Sequence, residues 1–163
     1  MKAVATMTKI TYTNSLAYEY HPERKGAKYT VDGQNKNGGQ LIEMAIKHHH
    51  GYSEECPATS YDKGSDIPEL KASVKSSKFS LACIYNDDFD KILKEYFNKV
   101  HSTLWIYAVK IDEEITEYRM NKEEFKEFVK TFGRLTKESG CNKMKIQGLA
   151  TSGKMIKWLE ARV

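Results

Sequence analysis

The run Thr103–Ile111 constrains the fold more than any other part of the sequence, because nearly all of its residues are apolar. A continuous run of apolar, β-branched and aromatic residues indicates a strand that is buried on both faces. We therefore place this run in the centre of a sheet. The chain has 163 residues and is 40% hydrophobic, which is enough for one packed domain.

The segments around this run alternate between helical and extended patterns. Apolar residues at helical spacing predict helices over about residues 37–50, 87–100, 121–135 and 154–162. Further strands are predicted at 28–31, 70–75, 79–85, 115–120 and 143–149. We interpret residues 1–27 as an N-terminal arm and residues 51–65 as a loop. This order predicts a single α/β domain over residues 1–163, with a mixed β-sheet flanked by helices.

Charge, cysteine content and hydropathy indicate which binding partners and which cellular compartment suit the chain. The formal net charge is +4, from 26 basic and 22 acidic residues, which suits a nucleic-acid partner without requiring one. Three distant cysteines without a Cys-x-x-Cys pair argue against a structural zinc site and favour a reducing cytoplasm. No apolar run approaches the roughly 18 residues that span a membrane, so we expect no membrane partner and a cytoplasmic location.

The segment that begins at Asp66 contains the groups that phosphodiester hydrolysis requires. Alternate residues of a strand share one face, so an extended segment places these four together: Glu69, Lys71, Ser73 and Lys75. Hydrolysis needs oxygen ligands for a divalent cation and a positive group near the attacking water. Glu43, on the predicted helix before the loop, is a further carboxylate in the same part of the sequence.

The run NGGQLIE, a loop, and then SDIPELKASVKS resembles the core of the PD-(D/E)xK nucleases, in particular MutH-type mismatch-repair and type II restriction endonucleases. By position, Glu43 matches the helix glutamate, Asp66 the motif aspartate and Lys75 the motif lysine. Ser73 stands where the family has its second acidic residue. The resemblance covers about residues 36–80. It implies a restriction-endonuclease-like fold, a Mg²⁺ cofactor that Mn²⁺ can replace, and cleavage of double-stranded DNA by a homodimer.

The serine leaves two registers open. In the first, Glu69 and Lys71 form the Glu-x-Lys motif, at short spacing from Asp66. In the second, which we favour, Ser73 and Lys75 form a variant motif and the acid comes from elsewhere. The second register agrees better with the leucine of the family pattern and with the alternation along the strand.

The acid that replaces the missing carboxylate is also open. The candidate metal ligands are Glu43, Asp66 and Glu69. If Glu69 is a ligand, Asp62 becomes the better candidate for the upstream aspartate. Taken without the resemblance, Asp66 is a turn residue and the lysines are the solvated face of a strand.

Basic and hydroxyl side chains near the motif suit phosphate oxygens, which accept most protein–DNA hydrogen bonds. The candidates for DNA contact are Lys78, Ser76, Ser77, Lys143 and Lys145, although ordinary surface lysines explain them equally well. Three consecutive histidines, His48–His50, point in three directions on a helix, so we assign them no metal. The alternative function is a non-catalytic nucleic-acid-binding module that keeps the nuclease fold and lacks the acid at Ser73.

Overall fold

The structure is a computed structural model that describes residues 7–23, 25, 28–31, 33–36, 38–51, 69–74, 78–81, 88–99, 104–137, 144–149 and 153–163. These ranges contain ten strands and four helices. In chain order they are β1 (Thr8–Thr13), β2 (Glu19–His21), β3 (Lys28–Val31), β4 (Gln34–Lys36), α1 (Gly38–His50), β5 (Glu69–Val74), β6 (Lys78–Ser80), α2 (Phe89–Lys99), β7 (Trp105–Ile111), β8 (Glu114–Met120), α3 (Lys122–Phe132), β9 (Gly133–Lys137), β10 (Met144–Leu149) and α4 (Lys154–Glu160).

Four strands form the central sheet in the order β1-β8-β7-β5. Strand β5 runs parallel to β7, whereas the β7–β8 and β8–β1 pairs are antiparallel. The apolar run of the sequence is thus an inner strand, as predicted. The sheet is mixed and helices accompany it, which confirms the α/β class.

Strand β7 is buried on both faces. Its first five residues are at most 4% exposed, and successive side chains point to opposite sides of the sheet. Trp105, Tyr107 and Val109 belong to the larger core, together with apolar residues of α2, α3 and α4. Ile106 and Ala108 belong to a smaller core with α1. Helix α1 therefore covers one face of the sheet, and the three later helices cover the other.

Two further sheets are three-stranded and antiparallel. One has the order β6-β10-β9, and its residue Ile146 reaches the larger core. The other has the order β2-β3-β4. The sequence predicted β3 but assigned no element to β1 or β2, which lie within the region interpreted as an N-terminal arm. Strand β1 pairs with β8 over all six of its residues and is an edge strand of the central sheet.

Helix α3 ends earlier than the sequence predicts. The pattern predicts a helix through Leu135, but the helix stops at Phe132 and β9 begins at Gly133. A Cβ atom at Gly133 would lie 2.5 Å from the carbonyl oxygen of Val129 and 2.8 Å from Cγ2 of Ile146. Only glycine permits this close turn from helix to strand. The prediction was wrong here because Leu135 continues the apolar spacing of the helix although the backbone has become extended.

The other bounds differ by a few residues. Helix α4 ends at Glu160 rather than at 162, and α2 begins at Phe89 rather than at 87. A strand was predicted at 79–85, and the structure has one over Lys78–Ser80. Residue 81 is described but is not part of the strand, and positions 82–85 lie outside the described residues. Among the helices of the described ranges, none combines the length and apolar composition that crossing a bilayer requires.

Lys9, Tyr118 and Glu160 connect the central sheet to α4. The Lys9 ammonium lies 2.7 Å from Oε1 of Glu160, and the Tyr118 hydroxyl donates to the same oxygen at 2.6 Å. The hydrogen bond from Lys9, followed by that from Tyr118, lowers the pKa of the Glu160 carboxyl. Burial, followed by the contact with Glu160, raises the pKa of Tyr118 above its usual range. The ionised carboxylate therefore stabilises the folded state.

The pH dependence of stability tests this contact. Because the folded pKa of Glu160 is lowered, its contribution is complete above the ordinary Glu pKa of about 4.3 and is lost as the pH falls through the lowered value. Glu160→Gln should lower the free energy of unfolding at pH 7 by about 0.2–1 kcal/mol, the range of exposed ion pairs. In urea denaturation the difference should shrink towards zero below pH 4. Glu114→Gln, an exposed position outside any ion pair of the described residues, is the matched control. An equal loss for Glu160→Gln at pH 7 and pH 3 would contradict the account.

Candidate functional site

The segment predicted to hold the catalytic residues is the edge strand β5. Its six residues, Glu69–Val74, lie alongside Trp105–Lys110 of the buried strand β7 in parallel register. The predicted strand is therefore confirmed by the backbone. Its place in the sheet is also specified, because among the described strands β5 has one neighbour in the central sheet, β7.

The register assigns the positions of β5 to the two faces of the sheet. Laterally paired residues share a face, and the pairs of interest are Glu69 with Trp105, Lys71 with Tyr107, and Ser73 with Val109. The three partners on β7 belong to the larger core, under α2, α3 and α4. Positions 69, 71 and 73 therefore occur together on the face opposite α1. The predicted sharing of one face agrees with the register.

Glu43 lies on the helix that covers the other face. Helix α1 packs against β5 and β7, and its buried residues are Leu41, Ile42, Ala45 and Ile46. Glu43 itself is half-buried and has a contact of its own within the structure. Glu43 is on the helix that covers one face of the sheet, whereas positions 69, 71 and 73 of β5 belong to the other face. Of the two acids considered as partners for Asp66, Glu69 is the one on the same face of the sheet as position 71.

The remaining predicted residues fall into two groups. Outside the described residues lie Asp62, Asp66, Lys75, Ser76, Ser77 and Lys143. Lys78 and Lys145 both belong to the β6-β10-β9 sheet, where position 78 pairs with Leu149. Lys145 is four residues before Leu149 on β10. Because a strand rises about 3.3 Å per residue, positions 78 and 145 are about 13 Å apart along the strand direction.

A buried carboxylate that the sequence did not single out lies on β8. Glu117 is completely buried on the α1 face of the sheet, where it pairs with Ala108. Its Oε2 lies 2.6 Å from Nε2 of His50, the last residue of α1, and accepts a hydrogen bond from the Tyr12 hydroxyl. The guanidinium Nε of Arg119 is 3.8 Å from Oε1. These contacts attach the end of α1 to β8 and to the edge strand β1.

The three consecutive histidines have different environments. His48 is exposed, His49 stacks on the Tyr12 ring with centroids 3.6 Å apart, and His50 contacts Glu117. The expectation that they do not converge on one ion is consistent with this geometry. In the part of the chain that the structure describes, no three His, Cys, Asp or Glu side chains are arranged to hold a metal ion.

The sequence indicates that Glu117 faces inward but does not indicate its partner. Alternation along β8 puts Glu117 on the same face as Ile115, which marks it as an inward-facing charge. Its partner is 67 residues away, however, and only the packing of α1 on the sheet brings His50 to it. Sequence spacing alone does not predict such a pair.

A cavity of about 290 Å³ lies where the first turn of α1 approaches the β7–β8 turn. It is lined in part by Tyr18, Tyr29 and Lys110. The Lys110 ammonium donates to the carbonyl oxygen of Asp112 at 2.5 Å, and the two tyrosine rings pack edge to face at 5.3 Å. The two tyrosine rings contact each other and serve as packing residues. The described lining also includes Asp112 and Glu113, so acidic residues and a lysine border this cavity.

Comparison with known proteins adds no family to this geometry. No protein-family model matches the chain, and no curated protein or solved structure gives a significant match. The residues and their arrangement are therefore the basis for any functional assignment.

The Glu117 cluster makes a test by coupled substitutions possible. His50→Leu leaves the buried carboxylate without one of its partners and should lower the free energy of unfolding by about 2–3 kcal/mol. Replacing both residues in a His50→Leu/Glu117→Leu variant removes the buried charge and should cost less than the two single changes added together. The measurement is urea denaturation at pH 7.

His48→Leu is the control for the preceding cycle. It makes the same change at the exposed neighbouring position, where a shift within about 0.5 kcal/mol is expected. Additive effects of the His50 and Glu117 substitutions would show that the two side chains do not stabilise one another.

Proposed function

We propose that the protein is a restriction-endonuclease-like, divalent-metal-dependent endonuclease that hydrolyses phosphodiester bonds of double-stranded DNA. One observation supports this most. The strand with alternating acid, lysine and serine positions lies beside the buried central strand β7 and follows a helix, α1, that packs on the same sheet. This is the helix, loop and strand order that the sequence resemblance implies.

The donor set suits a hard divalent cation. Asp66 and Glu69 offer carboxylate oxygens, the ligands that Mg²⁺ prefers; Asp62 is the alternative aspartate to Asp66, and Glu43 is the alternative acid to Glu69. When bound, Mg²⁺ (or Mn²⁺) would stabilise negative charge on the phosphate and lower the pKa of a bound water. We favour Glu69 over Glu43, because position 69 shares its face of the sheet with positions 71 and 73.

The lysine of the site holds the attacking water and stabilises the charge that develops on the phosphate oxygens. Lys71 has this role in the Glu69/Lys71 register, and Lys75 has it in the Ser73/Lys75 register. Because we favour Glu69 as the acid, the Glu69/Lys71 register is better supported here than in the sequence interpretation, which favoured Ser73/Lys75. Cleavage of both strands of a duplex would require two such sites, which favours a homodimer.

The second candidate function is a nucleic-acid-binding module without catalysis. Ser73 favours it, because a serine stands where the nuclease family has its second carboxylate. Such a module would bind DNA with a steep salt dependence and would not cleave it in the presence of Mg²⁺.

Plasmid cleavage tests the catalytic proposal. The purified protein should nick or cut supercoiled DNA with Mg²⁺ or Mn²⁺ and be inactive with EDTA. Asp66→Asn should reduce the cleavage rate by at least about 100-fold, the size of effect typical of a lost charge-stabilising group. Asp112→Asn makes the same change at an exposed turn residue with φ 53°, a conformation that asparagine tolerates, and should cleave normally. Wild-type cleavage by Asp66→Asn would show that this aspartate is not a metal ligand.

Paired substitutions distinguish the registers in the same assay. Loss of activity in Lys71→Ala with activity kept in Lys75→Ala supports the Glu69/Lys71 motif, and the reverse supports the Ser73/Lys75 motif. Glu69→Gln should reduce cleavage more than Glu43→Gln, because position 69 shares a face of the sheet with positions 71 and 73, whereas α1 covers the other face. A larger effect at Glu43 would overturn our choice of acid.

A further inference from the structure

A basic groove of about 580 Å³ lies between α2 and α3. Four lysines line it, Lys94 on α2 and Lys122, Lys126 and Lys130 on α3, and Asp90 is the one acidic residue among its described lining residues. None of these positions belongs to the residues proposed for metal binding or catalysis. The groove is also separate from Lys78 and Lys145, which lie in the β6-β10-β9 sheet.

The three lysines of α3 form a regular row, which we call the lysine stripe (Lys122, Lys126 and Lys130). They are four residues apart and therefore follow one side of the helix at intervals of about 6 Å. Like charges at this spacing destabilise a helix. In the described ranges no carboxylate lies within 4.0 Å of any stripe ammonium, so the repulsion is not offset by ion pairs.

Two of the three acids of α3 are engaged elsewhere, and the third, the exposed Glu123, forms no ion pair with the stripe within the described ranges. The Glu124 side chain accepts from the backbone N–H of Asn121 at 3.0 Å, as part of a capping box at the start of the helix. Glu127 lies 3.5 Å from the Arg162 guanidinium near the C-terminus. A solvated helix face commonly has charges of both signs in contact, so the uncompensated stripe is unusual for a face that only contacts water.

The floor of the groove indicates what kind of ligand fits. Phe97 is 7% exposed, and the ammonium groups of Lys122 and Lys126 lie 5.6 and 5.7 Å from its ring centre. The ring thus contacts the lysines but leaves almost no surface on which a base can stack. Leu93 is 3% exposed, and the exposed large apolar residues of the described chain are not on α2 or α3. The groove therefore offers charge without apolar anchors.

We propose that this groove binds the sugar–phosphate backbone of nucleic acid without regard to sequence. The evenly spaced lysine positions match a ligand whose negative charge repeats regularly along a chain. A membrane surface is less suited, because interfacial helices insert apolar side chains and this groove presents none. The proposal rests on the proposed function for the nature of the partner, and it adds a surface that retains DNA outside the hydrolytic site.

The salt dependence of DNA binding tests the groove. Each phosphate contact contributes about −0.9 to the slope of log K against log[salt] for duplex DNA. The variant Lys122→Gln/Lys126→Gln/Lys130→Gln should reduce the magnitude of that slope by about 2.7 in fluorescence anisotropy with a labelled duplex. The affinity lost between 50 and 200 mM salt should accordingly shrink by about 40-fold relative to wild type. Metal-free buffer prevents cleavage during the titration.

A second triple variant separates the groove from net charge. Lys137→Gln/Lys154→Gln/Lys157→Gln removes the same three charges from exposed positions outside the groove and should leave the slope within about one unit of wild type. The stripe variant should have a Tm close to that of wild type, because relief of repulsion on α3 offsets the lost contacts of Lys122 and Lys126 with the Phe97 ring. Equal slopes for the two triple variants, or an unchanged slope for the stripe variant, would overturn the proposal. Loss of binding to anionic vesicles, with DNA binding retained, would assign the groove to membranes instead.

The outcomes for the groove and for catalysis are distinguishable. If the stripe is needed for binding but no metal-dependent cleavage occurs, the groove proposal stands and the nuclease proposal fails. If plasmid is cleaved but the stripe variant keeps the wild-type slope, only the groove proposal fails.

Discussion

The burial of strand β7 on both faces is the constraint on which the rest of the structure depends. Five consecutive residues, Trp105–Val109, are withdrawn from water, and their amides and carbonyls need partners in adjacent strands because unpaired buried backbone groups are costly. Strands β5 and β8 provide those hydrogen bonds. Helix α1 covers one face, and α2, α3 and α4 cover the other. The sheet order and both helical layers follow from this requirement.

The same constraint determines where chemistry can occur. Within the described part of the chain, β5 is an edge strand of the central sheet, and β7 fixes its register. A rigid edge strand is a suitable support for residues that must meet a metal and a phosphate. The face of positions 69, 71 and 73 is the one covered by α2 and α3, the helices that form the basic groove. The proposed catalytic strand and the proposed DNA-binding groove are thus linked to one helical layer.

Sequence patterns predicted the elements whose signal is local. The apolar run gave the central strand, alternation gave β5, and the Asn121 capping pattern gave the start of α3. The end of α3 was not predictable in this way. It depends on the close contacts of Gly133 with Val129 and Ile146, which apolar periodicity does not reveal. The pair of His50 and Glu117 was not predictable, since it depends on the docking of α1. The four-residue spacing of the lysine stripe is visible in the sequence. The absence of ion pairs to it within the described ranges is not, because it depends on Glu124 and Glu127 being engaged elsewhere.

Paramagnetic broadening by Mn²⁺ shows directly whether a metal ion binds at β5. In ¹⁵N–¹H spectra recorded during a Mn²⁺ titration, we expect early loss of the amide signals of Glu69–Val74 and of the adjacent residues of β7. Signals from the lysine stripe should persist, because cations avoid that groove. Loss centred on the acidic turn Asp112–Glu114, or uniform weak broadening over the whole chain, would contradict a metal site on β5.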